Sequence, residues 1–212
     1  MRGKFITFEG IEGCGKTTQV DLVCDKLDSR GKRFLRTREP GGTRIGEEIR
    51  KILLNPQNRD LADMTELLLY LADRAQHVAE KILPALNKGV FVICDRFVDA
   101  TLAYQGYGRG LDCSRILEMN QIATEGLKPD RTLLIDLPVE KGLERAMKRN
   151  HETGVTHSEG RFEEEELAFH NRVREGYLHL AEMEPKRFKI VDGSQSPEET
   201  HRQILSLIDP LL

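Results

Sequence analysis

Gly10-Ile11-Glu12-Gly13-Cys14-Gly15-Lys16-Thr17 reads G-x-x-x-x-G-K-[ST], and no other stretch constrains the fold as tightly. It follows an apolar run, Phe5-Ile6-Thr7-Phe8, and leads into helical spacing at Val20, Val23, Cys24 and Leu27. Strand, glycine-rich loop and helix in that order form a phosphate cradle. The glycines let backbone N–H groups turn inward, and the helix beneath adds the positive end of its dipole. Lys16 is then placed to reach β- and γ-phosphates, and the Thr17 hydroxyl to ligate Mg²⁺. A chain with this loop is expected to bind a nucleoside triphosphate.

The rest of the chain carries the alternation that such a loop requires. Short β-rich runs near 5–8, 33–37, 90–94, 132–135 and 188–191 are separated by longer stretches with helical spacing. Helices are expected over about 16–29, 45–54, 65–86, 116–126, 139–149 and 163–184. Ser196-Pro197-Glu198-Glu199 marks the start of a final helix, with an N-cap serine, proline in first position and glutamate in third. Several strands are nearly continuous apolar runs, as in strands buried on both faces. The pattern predicts an α/β fold, a five-stranded parallel sheet flanked by helices, with residues 1–212 forming a single domain. The one shift in composition is 150–160, polar and glycine-bearing, flanked by Lys148, Arg149 and Arg161. It reads as a short lid over phosphates, about 149–162, or else as a plain surface loop.

Composition excludes several classes. With 32 Lys and Arg against 35 Asp and Glu, the net charge of −3 lacks the basic excess of a nucleic-acid binder. Cys14, Cys24, Cys94 and Cys113 are scattered without a CxxC pair, as buried small residues in a reducing compartment. No apolar run approaches the ~20 residues of a membrane span, and the N-terminus lacks a signal-peptide pattern. A cytoplasmic protein with no nucleic-acid or membrane partner is expected. The six histidines show no metal-ligand spacing and are assigned no role.

Several constellations carry chemistry beyond the loop. The run Val90-Phe91-Val92-Ile93-Cys94 ends in Asp95-Arg96. A carboxylate there lies in the crevice where α/β sheets bind ligands and is suited to orient Mg²⁺. The alternative is an ion pair that caps the strand. Arg96 is by geometry a bidentate phosphate ligand. Arg38, in Arg38-Glu39-Pro40-Gly41-Gly42-Thr43, reaches the same sheet edge from the second strand. Together Arg38 and Arg96 suit a second anionic group, and two phosphate grips suggest transfer between nucleotides rather than hydrolysis. Tyr70 and Arg74 lie four apart on one helix face, where a ring can stack on a base and a guanidinium can bond its carbonyl. Taken alone, they read as a core tyrosine beside a solvated arginine. Residues 101–110 are rich in glycine and hydrogen-bonding groups, and otherwise read as an ordinary turn. Residues 163–166 read as a solvated helix N-terminus, or as carboxylates near Mg²⁺.

Taken together, these residues resemble the thymidylate kinase family. The likeness runs through F-E-G-I-E-G-C-G-K-T-T at 8–18, R-E-P-G-G-T at 38–43, L-L-L-Y-L-A-D-R-A-Q-H at 67–77 and D-R-F-V-D-A-T-L-A-Y-Q-G at 95–106. The last two blocks, in this order and spacing, are specific to it. The resemblance implies a P-loop nucleotide kinase that phosphorylates dTMP to dTDP with Mg-ATP, as a homodimer. It implies that Gly10, Ile11, Glu12, Gly13, Cys14, Gly15, Lys16, Thr17, Thr18 and Arg149 serve ATP. Thr17 and Asp95 would hold Mg²⁺, and Arg38 and Arg96 the dTMP phosphate. Tyr70 would stack on thymine, Arg74 donate to its 4-oxo group and Thr101 read its N3 edge. Tyr104 would crowd the sugar 2′ position, Gln105 line the acceptor site and Glu12 lie near the 3′-hydroxyl. The loop has no arginine of its own, which implies the subtype with lid arginines. Arg161 is then expected to stabilise the transferring phosphoryl group, completing a catalytic set with Lys16, Asp95 and Arg96. Tyr70, Phe97 and Ala100 depart from the family's usual phenylalanine, tyrosine and serine. Another nucleoside monophosphate or deoxynucleoside kinase would share the loop and lid. A GTPase-like switch would want N-K-x-D, and Asn87-Lys88 continues without the aspartate.

Overall fold

The computed structural model describes residues 2–153, 160–163 and 165–211. The apolar runs become β1 (Phe5–Glu9), β2 (Phe34–Arg38), β3 (Phe91–Asp95), β4 (Arg131–Asp136) and β5 (Phe188–Asp192). They form one parallel five-stranded sheet in the order β2-β3-β1-β4-β5. Every residue of the central strand β1 is buried, and the one hydroxyl facing β4, on Thr7, is satisfied by Thr132 at 2.9 Å. Because β1 has β3 on one side and β4 on the other, the strand order reverses at its carboxyl end. That is where an open α/β sheet leaves a crevice for ligands.

Helices cover both faces. α1 (Lys16–Ser29) and α2 (Arg44–Leu54) follow the first two strands. α3 (Asp63–His77) passes through a π-helical stretch, Val78–Ile82, into α4 (Leu83–Asn87). Pro84 cannot donate to the carbonyl four residues back, and the turn ahead of it widens accordingly. α5 (Val98–Thr101) also continues as π-helix, Leu102–Gly108, and is followed by α6 (Cys113–Ala123). α7 (Val139–Thr153), α8 (Leu167–Met183) and α9 (Pro197–Ile208) complete the set. Ser196 caps α9 as its sequence predicts, accepting from the Glu199 N–H at 3.2 Å. The core on one face joins Val20, Val23, Leu133, Ile135, Val173 and Ile204; that on the other joins Phe5, Val78, Ile82, Leu86, Val92 and Phe97. Each such side chain contributes roughly 1.5–3 kcal/mol on burial.

Two expectations need correction. Residues 101–108 are helical rather than a turn, because their glycines serve packing. A Cβ at Gly106 would lie 2.7 Å from Cys113 Sγ, and one at Gly108 would lie 2.6 Å from the Phe169 ring. α8 begins at Leu167 rather than 163, since the backbone N–H of Arg161 is tied to Leu54 and Phe162 is buried against Tyr104. Of the lid expected at about 149–162, residues 154–159 lie outside the described residues. Cys14, Cys24 and Cys94 are buried, Cys113 is half-buried and all four are free. Among the described residues no helix is long and apolar enough to cross a membrane.

Candidate active site

A cleft of 1070 Å³ opens over the carboxyl ends of β1, β2 and β3. Glu12, Gly13, Cys14, Gly15, Lys16, Thr17 and Thr18 line it from the glycine-rich loop. Arg38, Tyr70, Arg74, Asp95, Arg96, Thr101, Tyr104, Gln105 and Arg149 line it from elsewhere. Gly10 and Ile11 lie beneath, where their carbonyl oxygens accept from Lys16 Nζ at 2.9 and 2.8 Å. The loop is pressed against α7: a Cβ on Gly13, whose φ is 66°, would come 2.0 Å from the Gly142 carbonyl oxygen. The Thr17 hydroxyl donates to Asp95 Oδ2 at 3.1 Å, so two hard oxygen donors meet at the cleft. That donor set suits a magnesium ion.

Arg96 sits at the centre with a φ of 69°, in the left-handed region that non-glycine residues rarely occupy. Its Nη1 donates to Gly10 O and Tyr177 OH, both at 3.0 Å. Its Nη2 donates to Glu12 Oε1 at 3.1 Å and to Tyr104 OH at 2.9 Å. The Tyr104 hydroxyl in turn donates to Glu12 Oε1. Burial alone would raise the Glu12 carboxyl. The adjacent His170 ring and the Arg96 and Lys16 charges outweigh that and hold it below the usual carboxylate range. Beneath Arg96, Glu9 accepts from the Phe97 N–H at 2.8 Å and the Tyr177 hydroxyl at 2.7 Å. Burial, with the Asp99 charge second, pushes its carboxyl up to about 8.

Two sequence blocks lock to each other at the other end of the cleft. Arg74 is buried; its Nε donates to Glu39 Oε2 (2.8 Å) and its Nη1 to Thr101 Oγ1 (2.9 Å) and Asn120 Oδ1 (2.7 Å). Its Nη2 reaches Phe97 O at 3.0 Å, which leaves one guanidinium hydrogen and the Thr101 hydroxyl hydrogen for a ligand. Glu39 Oε1 pairs with His77 Nδ1 at 2.9 Å, and Asp73 accepts from the Gly41 N–H at 3.0 Å. The helix block therefore shapes the Arg38–Thr43 loop. Arg38 itself lies exposed at the mouth of the cleft and pairs with Glu47 at 3.2 Å. Gln105 Nε2 donates to the buried Glu66 at 2.7 Å, and Tyr70 is half-buried along the cleft.

The match to known families is full-length. Residues 8–204 fit the family model described as thymidylate kinase. A thymidylate kinase of Desulfovibrio desulfuricans is 55% identical over 208 residues, 98% of this chain and 96% of that one. One from Geotalea uraniireducens is 55% identical over 207 residues, 97% and 96% of the two chains. The crystal structure of thymidylate kinase from Ehrlichia chaffeensis superposes with a TM-score of 0.78 at 32% identity, covering 99% of both chains. The chain belongs to the thymidylate kinase family.

Within that family frame, one expected side chain is turned away from the cleft. Arg161 does not line it. Its Nε donates to Leu53 O at 2.6 Å, its Nη2 pairs with Glu66 and its guanidinium stacks on Phe162 at 4.7 Å. It faces a second cavity of 300 Å³ shared with Arg109 and Glu165. Arg161, expected to meet the transferring phosphoryl group, thus lies turned inward, away from the cleft. Arg149 does reach the cleft, paired with Glu163 at 3.3 Å. Arg145, missed in the sequence, lines the cleft one helical turn before it and donates to Gly193 O at 3.2 Å. The i, i+4 spacing of Arg145 and Arg149 was a readable signal. Arg50, which also lines the cleft, had none.

Proposed function

We infer that the protein transfers the γ-phosphoryl group of ATP to dTMP, giving dTDP and ADP, a step in dTTP synthesis. The observation that carries this is 55% identity to a thymidylate kinase over 98% of the chain. The acceptor-side residues Arg74 and Thr101 support it by sharing one cleft with the phosphate loop.

Loop N–H groups cradle the phosphates, and Lys16 exchanges its Gly10 and Ile11 carbonyls for phosphate oxygens. Thr17 and Asp95 would hold Mg²⁺, which would supply charge neutralisation at the phosphates. Arg96 and Arg38 grip the dTMP phosphate, and Tyr70 stacks on thymine. The remaining Arg74 hydrogen and the Thr101 hydroxyl read the base edge. Tyr104 closes the floor under the sugar beside Glu12, and Gln105 completes the acceptor wall. Arg149 and Arg145 bring positive charge from α7, and Arg161 roots the lid. No strong base is needed, because the acceptor oxygen is already ionised. In-line alignment and charge stabilisation carry the reaction, and exclusion of water keeps ATP from hydrolysis.

The homodimer is proposed on α3 and α6, where Met64, Leu68 and Leu117 are about half exposed. The protein is proposed to act in the cytoplasm. Coupled ADP release with each nucleoside monophosphate tests the assignment. A strong signal with dTMP, a weaker one with dUMP and almost none with the ribose form, AMP or GMP is expected. ADP release indifferent to the acceptor would remove the acceptor-site reading.

A further inference from the structure

α8 places His170 and Tyr177 two turns apart on one face, directly beneath the acceptor floor. The Tyr177 hydroxyl is fully used, donating to Glu9 and accepting from Arg96. His170 is 0% exposed, yet among the described residues neither of its ring nitrogens has a hydrogen-bond partner. Its Nδ1 lies 3.4 Å from Glu12 Oε2, just beyond hydrogen-bond range. Glu12 Oε2 is itself buried with no hydrogen bond among the described residues, while Oε1 accepts from both Arg96 and Tyr104. Two orphaned polar atoms that face each other inside a protein are costly apart, and a small approach satisfies both. The Phe169 ring meets His170 in a T-shaped contact at 5.4 Å.

A carboxylate pinned through one oxygen can still swing about its own axis; pinned through both, it cannot. We propose that His170 is a positioning residue whose Nδ1–H holds Glu12 Oε2, so that Oε1 keeps Arg96 and Tyr104 aimed at the acceptor nucleotide. The proposal rests on the reading of Glu12 as part of the dTMP site. It makes α8, which leaves the lid root, the element that fixes the acceptor floor.

Kinetics of Glu12→Gln, His170→Phe and His170→Asn test it. Phenylalanine fills the ring volume without a donor; asparagine keeps an N–H where Nδ1 stands. Glu12→Gln and His170→Phe are each expected to raise the dTMP KM by about tenfold, with the ATP KM changed by less than about twofold. His170→Asn should stay within about threefold of wild type, and the Glu12→Gln/His170→Phe pair should be no worse than Glu12→Gln alone. If Glu12→Gln leaves the dTMP KM unchanged, the acceptor reading of Glu12 falls and this role falls with it. If Glu12→Gln acts but His170→Phe does not, or if Phe and Asn impair equally, only the His170 role is overturned. Nitrogen NMR of histidine in the wild-type protein needs no variant to fold. A protonated His170 Nδ1 supports the proposal, and a bare one overturns it.

Discussion

Arg74 and Arg96, on the floor of the cleft, commit nearly every donor to protein oxygens and are 1% and 19% exposed in their side chains. Arg38 and Arg149, at its mouth, are 49% and 55% exposed and meet the carboxylates of Glu47 and Glu163 at 3.2 and 3.3 Å. A guanidinium held by four protein acceptors keeps its orientation, so it sets geometry. An exposed ion pair contributes only about 0–1 kcal/mol, so it is readily exchanged for a phosphate. One half of the site is built into the fold; the other half is charge waiting for a ligand.

The largest effect expected belongs to a residue between these halves. Lys16 rests on neutral carbonyls and is free to leave them, so Lys16→Ala should lower kcat by about 10³-fold with little change in dTMP KM. A dTMP KM that rises in step with the loss of kcat would place Lys16 in the floor instead. Next in size is the contrast between Arg149 and Arg161. Arg149→Ala should lower kcat by about 10²-fold with an unchanged Tm. Arg161→Ala should leave kcat within about tenfold but cost a few kcal/mol, since it leaves Glu66 short of a partner in the interior. An Arg161→Ala enzyme with unchanged Tm and kcat lowered a thousandfold would reverse the assignment.

A smaller effect sharpens the account of the floor. Glu9 beneath Arg96 keeps its proton up to about pH 8, whereas the unfolded chain loses it near 4.5. The stability it contributes is therefore complete below the unfolded value and is lost as pH rises through the folded one. Urea unfolding between about pH 5 and pH 9 should show that decline in the wild type and a flatter profile in Glu9→Gln. Equal slopes would mean that the floor does not rest on a protonated Glu9. The smallest expected effect is a control remote from both halves. Ser196→Ala removes the α9 cap and should cost about 1 kcal/mol without moving either KM.

The elements that follow from local rules were legible in the sequence. The positions of β1, β3 and β4 followed from apolar runs buried on both faces, and the start of α9 followed from Ser196-Pro197. The π-helical stretch Leu102–Gly108 was not legible, because Gly106 and Gly108 look like turn residues until Cys113 and Phe169 are seen against them. The site residues divide the same way. Loop and motif spacing located the cleft, but a basic residue flanking a polar stretch carries no sign of whether it turns inward or outward. Arg161 turned inward because Glu66 lies buried and within reach, a pairing separated by 95 residues. His170 escaped notice for a similar reason. The loop carboxylate it faces, Glu12, is brought near only by the docking of α8.

The most direct test of a floor built in advance is calorimetric titration of dTMP into the protein without any triphosphate, repeated with a non-hydrolysable ATP analogue. The account predicts that dTMP binds alone, with an affinity within about tenfold of that in the analogue's presence. Binding of dTMP only after the analogue is added would contradict it and would mean that the acceptor site is assembled by the donor.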